Sequence, residues 1–266
     1  MPSSLPPDWQ LPRGVTRGLW EYVHSDSVAD NYDDYFAFNR LFVFDEQVVL
    51  RALGEAGPGQ LVADLGCGTG RALVAVCRRG FRGLAIDLSQ RMLEIVQQKA
   101  DDDDLPICGV RANMVELDGL RDGSVDHVLC LFSTLGMIRS RSNRLRVLQH
   151  AQRMLRNEGR LVIHVHNYWY NLFDPGGPWW VAGNLLRAVF QRDIETGDKF
   201  FPYRGVPNMY LHVFTRREFR RALRRSGFRI HKIIPLDPRR HRALRWPWLL
   251  GRLRANGWIV VCQKPT

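Results

Sequence analysis

The chain has 266 residues, 45% of them apolar, and a formal net charge of +11. This is enough apolar material for a sizeable core, and one large α/β domain with insertions is expected rather than two small domains. Five dispersed cysteines without a C-x-x-C pair argue against a zinc site and against a disulfide framework.

No stretch approaches the length and apolarity of a membrane span, and the start, Met1-Pro2-Ser3-Ser4-Leu5-Pro6-Pro7-Asp8-Trp9, lacks a basic region followed by an apolar one. Neither a secretion signal nor a transmembrane helix is expected, and a reducing cytoplasm fits the cysteines. The charge is uneven. Between Arg216 and Arg254, fourteen Lys/Arg face Glu218 and Asp237, so this stretch carries +12 and the rest sums to −1. Arginine outnumbers lysine, which fits recognition of phosphate or carboxylate and equally fits arginine-biased coding.

In chain order, a proline-rich arm runs to about residue 15. Residues 18–53 turn helical and aromatic, with Trp20, Tyr22, Tyr32, Tyr35, Phe36, Phe38, Phe42 and Phe44 among Asp26, Asp30, Asp33 and Asp34. Gly57-Pro58-Gly59 then breaks the helix. Leu61-Val62-Ala63-Asp64-Leu65-Gly66-Cys67-Gly68-Thr69-Gly70-Arg71 reads as a buried strand that opens into a glycine turn. The apolar helical pattern of 72–77 follows, so the glycines sit at a strand-to-helix junction with backbone N–H groups facing a ligand. Phe81-Arg82-Gly83-Leu84-Ala85-Ile86-Asp87-Leu88 is a second strand that also ends in an acid, where a doubly wound sheet places a partner for ribose hydroxyls.

Residues 89–100 have helical spacing with Met92, Leu93 and Val96 on one face. Asp101-Asp102-Asp103-Asp104 ends that helix and is expected to be a solvated turn at the sheet end away from the glycines. Strands three and four are read at 105–111 and 125–132. The next residues, Ser133-Thr134-Leu135-Gly136, fall in the crevice where such sheets bind ligands. An amphipathic helix at 144–155 and a turn at 157–159 lead into strand five at 160–167. His164 and His166 share one face there, with His166 nearer the ligand end. His166 is a candidate general base, or a hydrogen-bonded structural histidine.

Residues 168–211 are too long for a plain connection and carry eleven aromatic side chains around Asp174-Pro175-Gly176-Gly177-Pro178. Thr215-Arg216-Arg217-Glu218 has capping-box spacing before a helix that Gly227 stops. The apolar patterns at 231–236 and 258–262 are the remaining strands. Their connection holds Arg239, Arg240, Arg242 and Arg245 with Trp246-Pro247-Trp248.

Gly66, Gly68 and Gly70 form G-x-G-x-G preceded by Asp64, not the G-x-G-x-x-G of nicotinamide-type sites. With Asp87 one βα unit on, the stretch 60–159 resembles the class I S-adenosylmethionine-dependent methyltransferases. The resemblance implies a Rossmann-like, doubly wound α/β sheet of seven strands whose final strand is antiparallel. It implies an N-terminal arm and helical lid at 1–55 and a methyltransferase domain at 56–266 with a substrate cap inserted at 168–211. It also implies S-adenosyl-L-methionine as cofactor. Asp64, Gly66, Cys67, Gly68 and Gly70 would hold its methionine end, and Asp87 the ribose hydroxyls. Asn113 would stand near the adenine amino group where family members often carry an acid. Leu88, Met114 and Phe132 are expected beside them. No metal is expected.

Two departures narrow the chemistry the resemblance implies. The D-P-P-Y or N-P-P-Y sequence of amino-methylating DNA enzymes is absent after strand four, and no cysteine follows a proline as in ring-carbon methylases. A small aromatic or apolar acceptor in the cap is the favoured substrate. RNA is the alternative, using aromatics for stacking and the basic C-terminal stretch for phosphates, and Met209-Tyr210-Leu211-His212-Val213-Phe214 faintly resembles tRNA wobble-uridine methyltransferases. A cofactor-binding scaffold without chemistry is the third reading. The oligomeric state is left open.

Overall fold

The computed structural model describes residues 6–38 and 40–266. The first five residues of the expected arm lie outside the described residues.

Four helices come first: α1 (Arg17–Val23), α2 (Asp26–Asp30), α3 (Tyr32–Phe36) and α4 (Leu41–Leu53). Strand and helix then alternate through β1 (Leu61–Leu65), α5 (Arg71–Cys77), β2 (Arg82–Asp87), α6 (Gln90–Asp102), β3 (Ile107–Arg111), β4 (Val125–Cys130), α7 (Arg141–Met154) and β5 (Leu155–His166). The insertion follows, with α8 (Gly177–Phe190), β6 (Asp198–Tyr203) and β7 (Val206–His212). The chain ends with α9 (Arg216–Arg225), β8 (Arg229–Pro235), α10 (Gly251–Arg254) and β9 (Gly257–Gln263).

Seven strands form one sheet in the order β3-β2-β1-β4-β5-β9-β8. The first five are parallel, and β9 pairs antiparallel with both β5 and β8, so β8 runs with the first five. This is the expected doubly wound sheet with an antiparallel final strand. β1 shows why its sequence is apolar throughout: Val62 packs into one core layer while Ala63 and Leu65 pack into the other. Chain order reverses between β1 and β4, which opens a crevice at the carboxyl ends of the strands.

Local chemistry sets the helix ends. Ser89 Oγ accepts from Met92 N at 3.4 Å and starts α6, whose Met92, Leu93, Val96 and Ala100 are buried. The four aspartates 101–104 are exposed, and Asp103 pairs with Arg78. α7 starts three residues earlier than its apolar periodicity suggests, because Ser140 Oγ accepts from Asn143 N at 3.4 Å. β5 likewise starts at Leu155, opposite Val125, and passes through a left-handed Glu158 rather than a separate turn. In the capping box, Thr215 Oγ1 accepts from Glu218 N at 3.2 Å. Glu218 does not reach back, however, and its carboxylate accepts from His212 Nε2 at 2.9 Å.

The insertion leaves and rejoins the sheet at one place, where Tyr168 N donates to Phe214 O and Phe214 N to His166 O, each at 2.8 Å. It contains a 3-10 turn (Tyr168–Phe173), α8 and a hairpin. The hairpin turns on Arg204 and Gly205, both at positive φ, between the paired Tyr203 and Val206. A buried network fastens it to the domain. Asp198 Oδ1 accepts from Tyr210 Oη at 2.7 Å and from His212 Nδ1 at 2.8 Å, while Arg144 donates to Glu195 at 2.5 Å. Both nitrogens of the buried His212 thus face carboxylates.

Candidate active site

A cavity of about 420 Å³ opens at the carboxyl ends of β1, β2, β4 and β5. Its floor is the glycine loop. Gly66 and Cys67 N–H donate to Ile86 O at 2.7 and 3.2 Å, and Gly68 N–H donates to Asp87 Oδ2 at 2.9 Å. The N–H groups expected to face a ligand at these three positions are therefore used to hold the loop against β2. What the loop offers is space. Gly68 has φ +55 and nothing within 4 Å of where a Cβ would stand, so a side chain would fill the cradle. Gly66 is packed instead, since a Cβ there would lie 2.3 Å from Thr134 Cγ2 and 3.0 Å from Met114 Cε.

Asp64, Gly66, Cys67, Gly68, Asp87, Leu88, Asn113, Met114, Phe132 and His166 all line the cavity. Gly70 does not. It lies at the start of α5, and a Cβ on it would lie 2.7 Å from Val96. Asp64 is buried, and burial followed by the charge of Asp87 pushes its carboxyl up to about 7, against a smaller opposing effect of Arg71. Burial also raises Asp87, opposed by bonds from the N–H groups of Ser89, Gly68 and Leu88. Two adjacent acids in such a site favour a cationic ligand. Asp87 spends one lone pair of each oxygen on Gly68 and Ser89, which leaves acceptor capacity for hydroxyl donors.

Asn113 is already partly engaged: its Oδ1 accepts from Val115 N at 3.1 Å and its Nδ2 donates to Arg13 O at 3.0 Å. One lone pair of Oδ1 remains for a ligand. Phe132 and Ser133 adopt φ +53 and +62, two successive left-handed residues at the end of β4. Such conformations concentrate at functional sites. Ser133 Oγ accepts from His166 N at 3.3 Å and ties that turn to β5. The His166 ring sits 5.3 Å from that of His164, and its basicity is pushed well below the ordinary imidazole range by burial, then by His164 and Arg240.

Several contacts around the cavity were not evident from the sequence. Asp33 of α3 accepts from Thr69 Oγ1 at 2.7 Å, and Lys99 donates both to Asp33 at 2.5 Å and to Thr69 O at 2.9 Å. The glycine loop is thus tied to the N-terminal helices. Arg204 at the hairpin tip stacks 4.6 Å over Tyr35 and donates to Asn31 O at 3.2 Å, closing the same side from the insertion. Arg71 lies over Phe42 and lines the cavity, as does Arg240. Arg240 is therefore set apart from Arg239, Arg242 and Arg245, with which the sequence groups it. Arg71 was signalled by its place directly after the third glycine. Arg240 had no such signal.

The sheet order, the glycine loop and the two strand-end acids together define the class I S-adenosylmethionine-dependent methyltransferase fold, whose cofactor is S-adenosyl-L-methionine. Residues 62–159 match the family described as methyltransferase domain. YqeM of Bacillus subtilis, a candidate methyltransferase by its name, is 32% identical over 106 residues, 40% of this chain and 42% of its own length. The chain spans about half the length of the curated relatives it matches. A S-adenosylmethionine-dependent methyltransferase of Methanosarcina mazei superposes with a TM-score of 0.61 at 18% identity, covering 82% of this chain and 97% of the other. The 1,6-didemethyltoxoflavin-N1-methyltransferase of Burkholderia thailandensis, with its substrate and S-adenosylhomocysteine bound, gives a TM-score of 0.60 at 16% identity, covering 97% and 93%. Among the described residues no helix is long and apolar enough to cross a membrane.

Proposed function

We propose that the protein transfers a methyl group from S-adenosylmethionine to a small, largely apolar acceptor. The observation that carries this reading is that one continuous cavity holds both ends of the site. It runs from the glycine loop and Asp87 to Tyr203, Met209 and Leu211 of the insertion. Its size lies within the range of about 300–1,000 Å³ found for small-molecule sites. The Burkholderia enzyme that shares the fold is named for a small molecule, 1,6-didemethyltoxoflavin, which supports the same reading.

When bound, the cofactor supplies an activated methyl on a sulfonium, so the chain is asked mainly to align the reactants. Asp64, the Gly68 cradle and Asp87 would hold the cofactor, with Asn113, Leu88 and Met114 beside the base. The apolar side chains of Phe36, Phe132, Phe201 and Met209 exclude water from the acceptor end. His166 is neutral at physiological pH and offers a ring nitrogen to an acceptor proton. Its depressed basicity makes it a weak base, suited to positioning an acceptor that loses its proton easily.

The test is release of S-adenosylhomocysteine from S-adenosylmethionine across fractionated metabolites and, in parallel, total RNA. Turnover in a metabolite fraction supports the reading. Turnover on RNA alone replaces the small acceptor with a polynucleotide. Cofactor binding with turnover on neither supports a scaffold.

A further inference from the structure

Three features outside the cavity lie around the 3-10 turn Tyr168–Phe173, which touches α8 and α10 and lends Trp169 to the groove on α9. The first is α8, which is apolar on two faces. Val181 is buried against Tyr168, but Trp179, Leu186, Val189 and Phe190 stand 84%, 61%, 77% and 80% exposed. Their spacing follows one stripe of a helix, and a helix apolar all round is normally covered. The second is the turn 246–250, where Trp246, Trp248, Leu249 and Leu250 are exposed directly before α10. The third is a groove on α9 lined by Arg216, Arg217, Arg220, Arg221, Arg224 and Arg225, with Arg252 of α10 and Trp169 of the 3-10 turn.

The groove carries no internal compensation. Among the described residues none of these seven arginines meets a carboxylate, and the Nε groups of Arg216 and Arg220 are shut from solvent without a hydrogen-bond partner. Glu218, the one acid on α9, is turned away to His212. Guanidinium forks held in this way match phosphate oxygens. The adjoining apolar features decide which phosphates. A polynucleotide in the groove would leave the α8 stripe in water. The headgroup layer of a bilayer accommodates both, since indole rings and short apolar helices rest at that depth while arginines take the anionic headgroups.

We propose that α8, the 246–250 turn and the α9 groove form one docking surface for an anionic membrane, on which the protein rests without spanning it. The inference is independent of the methyl acceptor, because none of these residues lines the cavity.

Flotation of the full chain with vesicles of phosphatidylcholine and phosphatidylglycerol in equal parts tests it. Binding is expected there and at least tenfold weaker on phosphatidylcholine alone. Arg220→Gln with Arg224→Gln should weaken binding about 25-fold, from roughly fivefold per charge. Trp179→Ser with Phe190→Ser should weaken it about tenfold or more without lowering the melting temperature, since both side chains are exposed. Quenching of tryptophan fluorescence by brominated lipid in the unaltered protein gives a readout that needs no variant. Flotation indifferent to phosphatidylglycerol, or absent quenching, would overturn the proposal. So would a dimer in ultracentrifugation that the Trp179→Ser and Phe190→Ser pair dissolves, which would make a second copy the occupant of α8. RNA binding lost in the arginine variant, without vesicle binding in the unaltered protein, would make the groove a nucleic-acid site.

Discussion

Two alanine substitutions two residues apart should separate packing from ligand binding at the glycine loop. Gly66 and Gly68 have similar backbone angles, φ +70 and +55, so both alanines meet the same left-handed penalty of about 1–2 kcal/mol. A stiffer unfolded chain returns about 0.4–1 kcal/mol of it. Beyond that they differ. At Gly68 the added methyl enters open cavity, so the net cost is about 1 kcal/mol and the melting temperature should drop by about 2–4 °C. At Gly66 it meets Thr134 Cγ2 at 2.3 Å, and Thr134 cannot rotate freely because its Oγ1 donates to Leu131 O at 2.7 Å. Overpacking adds about 1–3 kcal/mol there, for a drop of about 5–10 °C. Affinity should show the reverse emphasis. The Gly68 methyl occupies ligand space, and crowding of about 1–3 kcal/mol weakens S-adenosylmethionine binding about 5–150-fold. Calorimetry for binding and differential scanning for stability give both numbers. Unchanged affinity in a folded Gly68→Ala protein would refute the cradle, and an unchanged melting temperature for Gly66→Ala would refute the packing argument.

Asp87→Ala should weaken S-adenosylmethionine binding by about 1.5–3 kcal/mol in titration calorimetry, and should also lower the melting temperature by a few degrees because Gly68 and Ser89 lose their acceptor. Asp64 makes the ligand-free protein pH-sensitive. Its folded value of about 7 exceeds the unfolded 3.8, so the folded state keeps the proton longer and stability falls as pH rises from about 4 to 7, by up to about 4 kcal/mol. Melting curves across that range should show the slope in the unaltered protein and lose it in Asp64→Asn. If His166 accepts the acceptor's proton, His166→Gln should cut turnover about 10²-fold while leaving cofactor affinity intact, whereas near-normal turnover assigns it a structural part.

The sheet was legible because parallel strands buried on both faces must be apolar throughout, and because β1 and β2 each carry an acid at or one residue before their end, the first leading into the glycine turn. The cofactor side of the site was legible for the same reason: strand ends are local features. The other side was not. Asp33 reaches Thr69 across 36 residues and Arg204 reaches Asn31 across 173, and no periodicity records such contacts. The insertion showed its length and aromatics but not its hairpin, whose turn depends on Arg204 in a left-handed conformation that its residue type does not advertise. The arginines illustrate a further limit. Counting charge along 216–254 found the excess, yet only the packing shows that Arg240 belongs to the cavity and that the uncompensated cluster lies on α9.

Gly18 sits where α1 crosses β7, and a Cβ on it would fall 2.2 Å from the carbonyl oxygen of Asn208. At that crossing backbone therefore rests on backbone, beside the side-chain cluster of Leu19, Tyr22, Val206 and Met209. Arg204 adds a second fastening at the other end of the same seam. Two segments nearly 200 residues apart in the chain are thus joined more closely to each other than a sliding contact would allow, and they share one tether to the glycine loop through Asp33. If ligands pass on that side, the two segments should rise together. Cofactor and acceptor exchange would then follow a common clock, so a substitution such as Gly18→Ala, remote from the chemistry, should change the release of both ligands at once.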